Sequence, residues 1–350
     1  MALELAATGV CTLLASVSMT GVIRWFALSH GLIDVPNERS SHRTPTPRGG
    51  GASIVVSTTV ALGVLSWLRA VPAELVIALS GGGMAVAVVG LLDDQQRVSA
   101  PLRFVVHVMA AVWAVAWLGG LPPVRVGDNL ITFGWPGYPL AVLGIVWVLN
   151  LFNFMDGIDG IAASEGTFVA WTGAMLGPGQ SSGVAAAGLI LGAACLGFLP
   201  WNWKPARIFM GDVASGYVGY VIAVLALAAA QHDPVALWVW LILGATFFVD
   251  ATVTLLRRLR RREHVSQAHR THAYQWLARR WGSHAKVTSA AMLINVLWLL
   301  PCAICAVRWP ELAGEALICA LVPLVLLASA ISGRREASDV RTPVAPNGRR

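Results

Sequence analysis

Charge is scarce in this chain. Only 12% of its 350 residues are Asp, Glu, Lys or Arg, against about 25% in a typical soluble domain, while 56% are apolar and the mean hydropathy is +0.67. That shortage excludes an ordinary soluble globule and points to an integral membrane protein. Cysteine is scarce too, and Cys11, Cys195, Cys302, Cys305 and Cys319 all lie in apolar runs. Cys302 and Cys305 form a C-x-x-C, but with no partner pair they read as small packing residues, so neither a disulfide framework nor a zinc site is indicated. The chain shows no internal repeat of the kind many transporters carry. No basic segment precedes the first apolar run, which reads as an uncleaved spanning helix rather than a removable signal.

What is present is a series of apolar runs near 5–28, 52–70, 74–92, 103–120, 138–152, 166–177, 184–200, 214–230, 236–256, 287–307 and 312–332. They predict an all-α polytopic bundle of about 11 transmembrane helices over residues 1–333, followed by a basic, disordered tail over 334–350. Lys and Arg crowd one set of loops: Arg39, Arg43, Arg48, Arg97, Arg103, Lys204, Arg207, the stretch from Arg257 to Lys286, and the tail. The other set holds only Arg69, Arg125 and Arg308. By the positive-inside rule the N-terminus is outside and the C-terminus cytoplasmic. The net charge of +7 is mostly this bias and gives no argument for nucleic acid. On the outside, the alternation in VRVGDNLITFGWP suggests a small hairpin.

The few acids return to one membrane face, where carboxylates are costly and so suggest a site. The first cytoplasmic loop, from Asp34 through Arg43 and Arg48 to Gly51, combines arginines, hydroxyls and a glycine run suited to a diphosphate. The second opens on Asp93-Asp94 and reaches Arg97; adjacent carboxylates repel unless one is protonated, metal-bound or paired. In the third, Asn150, Asn153, Asp156 and Asp159 recur every three residues, predicting a polar stripe along one side of a helical or near-helical segment. Such a stripe suits Mg²⁺ with water or phosphate in its remaining positions. The fourth joins Asn202, Lys204, Arg207, Phe209 and Asp212; Asp212 is placed to complete a metal site and Phe209 to stack on a base or anchor at the interface. In the last, His269-Arg270-Thr271-His272 suits a diphosphate better than zinc, for which no further ligands are near.

Together these five stretches, over roughly residues 34 to 285, resemble the polyprenyl-phosphate N-acetylhexosamine-1-phosphate transferases, glycosyltransferase family 4, and most closely the branch that initiates O-antigen or enterobacterial common antigen. The resemblance implies a multi-pass protein of the bacterial inner membrane with a cytoplasmic active site, which moves HexNAc-1-phosphate from a UDP-HexNAc to undecaprenyl phosphate and releases UMP. It implies Mg²⁺, with Mn²⁺ as a substitute, held by Asp212 and Asn150. It makes Asp93 the carboxylate that deprotonates the lipid phosphate, with Asp94 beside it, and Asp156 and Asp159 essential acids whose separate roles stay open. It places Asn202 and Phe209 at the uridine, Arg97 near the uracil, and Arg43, His269, Arg270 and His272 near the phosphates; Asn153, from the polar stripe, is read as substrate-binding. Members of the family often pair, which makes a homodimer one option, and the sequence itself leaves the oligomeric state open. Two departures stand out: Gln95-Gln96-Arg97-Val98 lacks the third acid that often follows the Asp-Asp pair, and Ala214 stands where glycine is common.

The sequence leaves open which UDP-sugar is used and whether attack is direct or passes through an aspartyl intermediate. The rival reading is a transporter whose intramembrane acids bind a cation or proton, for which Asp250 is the one good mid-span candidate.

Overall fold

The computed structural model describes residues 2–36, 44–96, 98–177, 182–263 and 270–341, with side chains for all of these except 182 and 332–341. Arg43, Arg97 and His269 lie outside the described residues. Every apolar run marked in the sequence falls on helix: α1 (Ala2–Ser29), α2 (Ala52–Trp67), α3 (Ala73–Gln96), α4 (Ala100–Leu118), α5 (Gly137–Met155), α6 (Ile161–Leu176), α7 (Ser182–Asn202), α8 (Asp212–Ala230), α9 (Ala236–Leu243), α10 (Ala245–Arg260), α12 (His284–Ile294) with α13 (Leu300–Arg308), and α14 (Ala313–Arg341). The amphipathic α11 (Ala273–Trp281) sits in the last connection.

Eight helices among the described residues are long and apolar enough to cross a membrane, counting His284–Arg308 as one span, and nine if α9 and α10 are taken together. That pair bends by 72° at Gly244. Helices α2 and α6 have 16 residues each, about 24 Å of rise against a hydrocarbon core of about 30 Å. The chain is thus an all-α integral membrane protein in which some apolar runs make shorter or broken helices. A π-helical turn, Asn295–Leu299, interrupts the His284–Arg308 span. Helix α14 continues through Arg341, so the first part of the tail is helical.

The core is built around α8, whose residues from Val213 to Ala230 are all buried. Its sequence, with no charge after Asp212 and many Ala and Gly, lets neighbours approach closely, which is how helices associate in lipid where no hydrophobic driving force separates them from the tails. Helices α3 and α5 pack on α8, and α1 and α6 pack on α7. Gly90 of α3 meets α8 so closely that a Cβ there would collide with the Asp212 carbonyl. Two short hairpins complete the fold. Strands β1 (Ile33–Asp34) and β2 (Thr46–Pro47) pair antiparallel with Asp34 opposite Thr46, and β3 (Val124–Val126) and β4 (Asn129–Ile131) pair around Gly127 and Asp128, as the alternation there predicts.

Candidate active site

Five connections at one end of the bundle close around a single cavity of about 260 Å³. Its wall carries Asp34 and Arg48 from the β1–β2 hairpin, Asp94 from the end of α3, Asp156 and Asp159 from the α5–α6 connection, Asn202, Phe209 and Asp212 from the end of α7 to the start of α8, and Gln275 and His284 from the last connection.

The close approach of Gly90 to Asp212 brings the end of α3 against the start of α8. Asp94, 8% exposed, turns its Oδ2 to the N-terminus of α8 and accepts from the Val213 N–H at 3.2 Å. A carboxylate suits that position because the first amides of a helix lack partners and its dipole is positive there. Gly211, with φ of +79°, makes the turn into α8, and a Cβ on it would stand 2.5 Å from Asp94 Oδ2. Arg48, in the same wall, interacts electrostatically with Asp94.

Asp93 is not in the wall. Neighbouring residues on a helix point about 100° apart, and Asp93 turns to Arg103 of α4, whose Nη1 also lies 3.3 Å from Asp212 Oδ2. Arg103 therefore bridges two carboxylates that would otherwise repel. The resemblance gives Asp93 a direct part in the chemistry; Asp93 does not line the cavity but is joined through Arg103 to Asp212, which does, and Arg103 itself stands in the sequence only as one of the basic-loop residues.

The expected helical stripe breaks in the middle. Helix α5 ends at Met155, with Asp156 as its C-cap at φ −82° and ψ 57°, so Asp156 and Asp159 lie on the turn leading to α6 rather than in line with Asn150 and Asn153. The asparagines stay on the helix and are not among the residues of the cavity wall: Asn150 Nδ2 donates to the Val146 carbonyl at 2.7 Å, and Asn153 Oδ1 accepts from Ser215 Oγ at 3.1 Å. Partial burial, then the nearby carboxylates of Asp94 and Asp159, push the Asp156 carboxyl up to about 7. Asp159 is anchored, its Oδ1 lying 3.0 Å from His284 Nδ1 and its Oδ2 accepting from the Ala206 N–H at 3.2 Å. Asn202, 3% exposed, ties two connections together by accepting from the Gly160 N–H at 2.9 Å and donating to the Ile208 carbonyl at 3.1 Å. It lines the cavity, with its amide committed to the backbone. The backbone of Phe209 docks on the first connection, donating to the Pro47 carbonyl at 2.8 Å and accepting from the Gly50 N–H at 2.9 Å.

The last connection departs furthest from expectation. His272 is 2% exposed and faces away from the cavity, with Nδ1 3.5 Å from Asp250 Oδ1, and Arg270 is exposed outside the wall. Asp250 accepts from the Ala273 and Tyr274 N–H groups, each at 2.9 Å, so it caps α11 from within the bundle. Among the described residues, this connection gives the cavity Gln275 and His284, neither of which is a candidate in the sequence. The one local signal was the Gly282-Ser283 stop and cap before His284, where Ser283 Oγ accepts from the Lys286 N–H at 3.3 Å.

As a metal site, the described residues hold no cluster of three or more His, Cys, Asp or Glu at ligating distances. The carboxylates in the cavity wall are Asp34, Asp94, Asp156, Asp159 and Asp212, of which Asp159 is already engaged by His284 and the Ala206 N–H. Mg²⁺ is commonly held by one or two carboxylates, with water and substrate phosphates completing the octahedron, so this donor set fits it. Asn150 is not brought to that set.

The sequence matches the description "Glycosyl transferase family 4" over residues 76–230. It is 30% identical to a Bacillus subtilis (strain 168) protein named "Probable undecaprenyl-phosphate N-acetylglucosaminyl 1-phosphate transferase", over 83% of this chain and 81% of that one. It is also 30% identical to the decaprenyl-phosphate N-acetylglucosaminephosphotransferase of Mycobacterium tuberculosis (strain H37Rv), over 85% of this chain and 80% of the relative. A phospho-N-acetylmuramoyl-pentapeptide-transferase of Synechococcus elongatus shows 32% identity over 52% of this chain and 53% of its own. The extent and identity of these matches place the chain in glycosyl transferase family 4.

Proposed function

We propose that this protein transfers N-acetylhexosamine-1-phosphate from a UDP-HexNAc to undecaprenyl phosphate, releasing UMP and starting a lipid-linked envelope glycan of the O-antigen type. The observation that carries this reading is the convergence of five acid-, amide- and arginine-bearing connections on one cavity at the end of a membrane bundle. That arrangement lets a soluble nucleotide sugar meet a lipid phosphate arriving laterally. The names of the relatives, all of which concern phosphosugar transfer and two of them a polyprenyl phosphate, point the same way.

In this reading an oxygen of the lipid phosphate attacks the sugar-bearing phosphorus in line, the bond from that phosphorus to the bridging oxygen breaks, and UMP leaves. Mg²⁺ at Asp212, with Asp94 and Asp156 at hand, supplies charge neutralisation when bound. The chain's own groups do the positioning: Arg48 and the glycine turn before α2 face the diphosphate, Phe209 offers a face to the base, and Arg103 keeps Asp93 and Asp212 in place. Asp159 and His284 hold each other, fixing the α5–α6 turn against α12. Sugar choice lies with the Arg257 to Lys286 stretch, through Gln275. The orientation in this reading is N-terminus outside, C-terminus and cavity cytoplasmic, in the inner membrane, with eleven helical passes and two copies paired. The transporter alternative loses its main support because Asp250 is committed to α11.

The test is to incubate purified protein with undecaprenyl phosphate, Mg²⁺ and a panel of labelled UDP-HexNAc donors, alongside Asp212→Ala. Metal-dependent labelled lipid and UMP, lost in the variant, are expected; folded wild-type protein giving neither with any donor overturns the reading.

A further inference from the structure

A second polar cluster lies inside the bundle, away from the cavity. Glu165 of α6 is 0% exposed, and its Oε2 accepts from Asn295 Nδ2 at 2.6 Å. Asn295 Oδ1 in turn accepts from Thr246 Oγ1 at 2.5 Å. Among the described residues Glu165 Oε1 finds no hydrogen-bond partner. A carboxyl in this setting is costly, and leucine would fill the space without that cost. The three residues come from three places that need fixing: the short α6, the first residue of the π-helical turn, and the first turn of α10 just past the 72° bend. Single π-turns within helices are frequent at functional sites.

The cluster is connected to the cavity by helix geometry. Thr246, Asp250 and Thr254 are spaced by four, so they share one face of α10. Thr254 Oγ1 donates to Asp250 Oδ1 at 3.3 Å, and Asp250 holds the first amides of α11. Helix α11 places Gln275 in the cavity wall, and its Tyr274 hydroxyl donates to the Phe154 carbonyl at 3.0 Å, two residues before Asp156. The span that carries Asn295 begins at His284, the partner of Asp159.

We infer that Glu165, Asn295 and Thr246 form an intramembrane clamp that sets α10 and the His284–Arg308 span against α6, and so positions Gln275 and His284 for binding of the nucleotide sugar. These are positioning residues that act through α11 and α12. The kinetic part of the inference rests on the transferase reading; the structural part does not.

The experiment uses the full-length protein in detergent with Thr246→Val, Glu165→Leu and Glu165→Gln, following amide hydrogen exchange over α11, steady-state kinetics with whichever UDP-HexNAc the donor panel shows to be used, and the unfolding midpoint. Thr246→Val removes little more than the hydroxyl and is the variant most certain to fold. It and Glu165→Leu are expected to speed exchange at Ala273 and Tyr274 by about tenfold or more. They should also raise KM for the UDP-sugar by about tenfold while kcat stays within about twofold. Glu165→Gln, whose carbonyl still accepts from Asn295, is expected to keep wild-type exchange and KM. Wild-type exchange in a folded Thr246→Val protein, or a Glu165→Gln variant as impaired as Glu165→Leu, overturns the clamp. If the wild type transfers nothing, the transferase reading fails and the exchange result alone decides the clamp.

Discussion

Asp156 is the residue whose protonation should be visible from outside. Folding holds its proton more tightly than the unfolded chain does, so in metal-free protein its contribution to stability is complete below the ordinary carboxylate value of about 4 and is lost as pH rises through about 7. Metal and proton compete for such a group. Between pH 8 and pH 6 the Mg²⁺ concentration giving half-maximal transfer is expected to rise by about tenfold, as a single group titrating near 7 requires. Asp156→Asn should flatten that profile in a titration of activity against Mg²⁺ at each pH, and an unchanged slope would count against Asp156 as the titrating group. Gly90 gives a second test at this scale. Gly90→Ala forces a methyl against the Asp212 carbonyl, and overpacking of this kind costs about 1–3 kcal/mol. A lower unfolding midpoint in detergent and a loss of transfer of at least about tenfold are expected together, because the collision lies between Asp94 and Asp212. Much of the cavity was legible at this scale. Asp94, Asp156, Asp159, Asn202, Phe209 and Asp212 all reach the wall from the loops where the sequence shows them. Asp93 stands beside that wall, in an ion pair with Arg103 that also reaches Asp212, and no spacing rule tells which of two adjacent acids will find Arg103.

At the scale of elements, apolar runs marked the helices well, and their interruptions poorly. The three-residue spacing from Asn150 to Asp159 predicts a helical or near-helical segment, but Gly157 and Gly160 favour a turn, and α5 ends at Met155. His272 was read with its neighbours as a phosphate contact; its burial against Asp250 depends on how α11 docks on α10, which local sequence does not encode. The entry of Gln275 and His284 into the cavity wall depends on the same docking. Asn202 shows how loosely such connections would otherwise be held: it joins the start of α6 to the segment before α8. Asn202→Leu leaves the Gly160 N–H and the Ile208 carbonyl without that partner, and each unmet buried backbone group costs about 1–3 kcal/mol. The expected result is a clear fall in the unfolding midpoint, with faster proteolysis between Trp203 and Gly211. Equal stability of the variant would show that the two connections are held by other contacts.

For the whole molecule, the basic loops and the cavity fall at the same end, which is what makes the orientation testable. With the native cysteines replaced, a cysteine at Gly127 in the β3–β4 turn should react with a membrane-impermeant maleimide on intact cells, and one at Arg262 only after permeabilisation. The opposite pattern would reverse the orientation. All of the acids that line the cavity sit at one end, while the far end offers a hairpin with exposed Leu130 and Ile131, followed by exposed Trp135. The contact between Gly90 and Asp212 has a mechanical consequence. With no side chain between them, α3 and α8 have no room to slide or roll, so the wall bearing Asp94 and Asp212 behaves as the fixed jaw of a vice. Any change in the width of the cavity, whether to admit a bulkier sugar or to release product, must come from the opposite jaw, where Gln275 and His284 are held by a handful of hydrogen bonds.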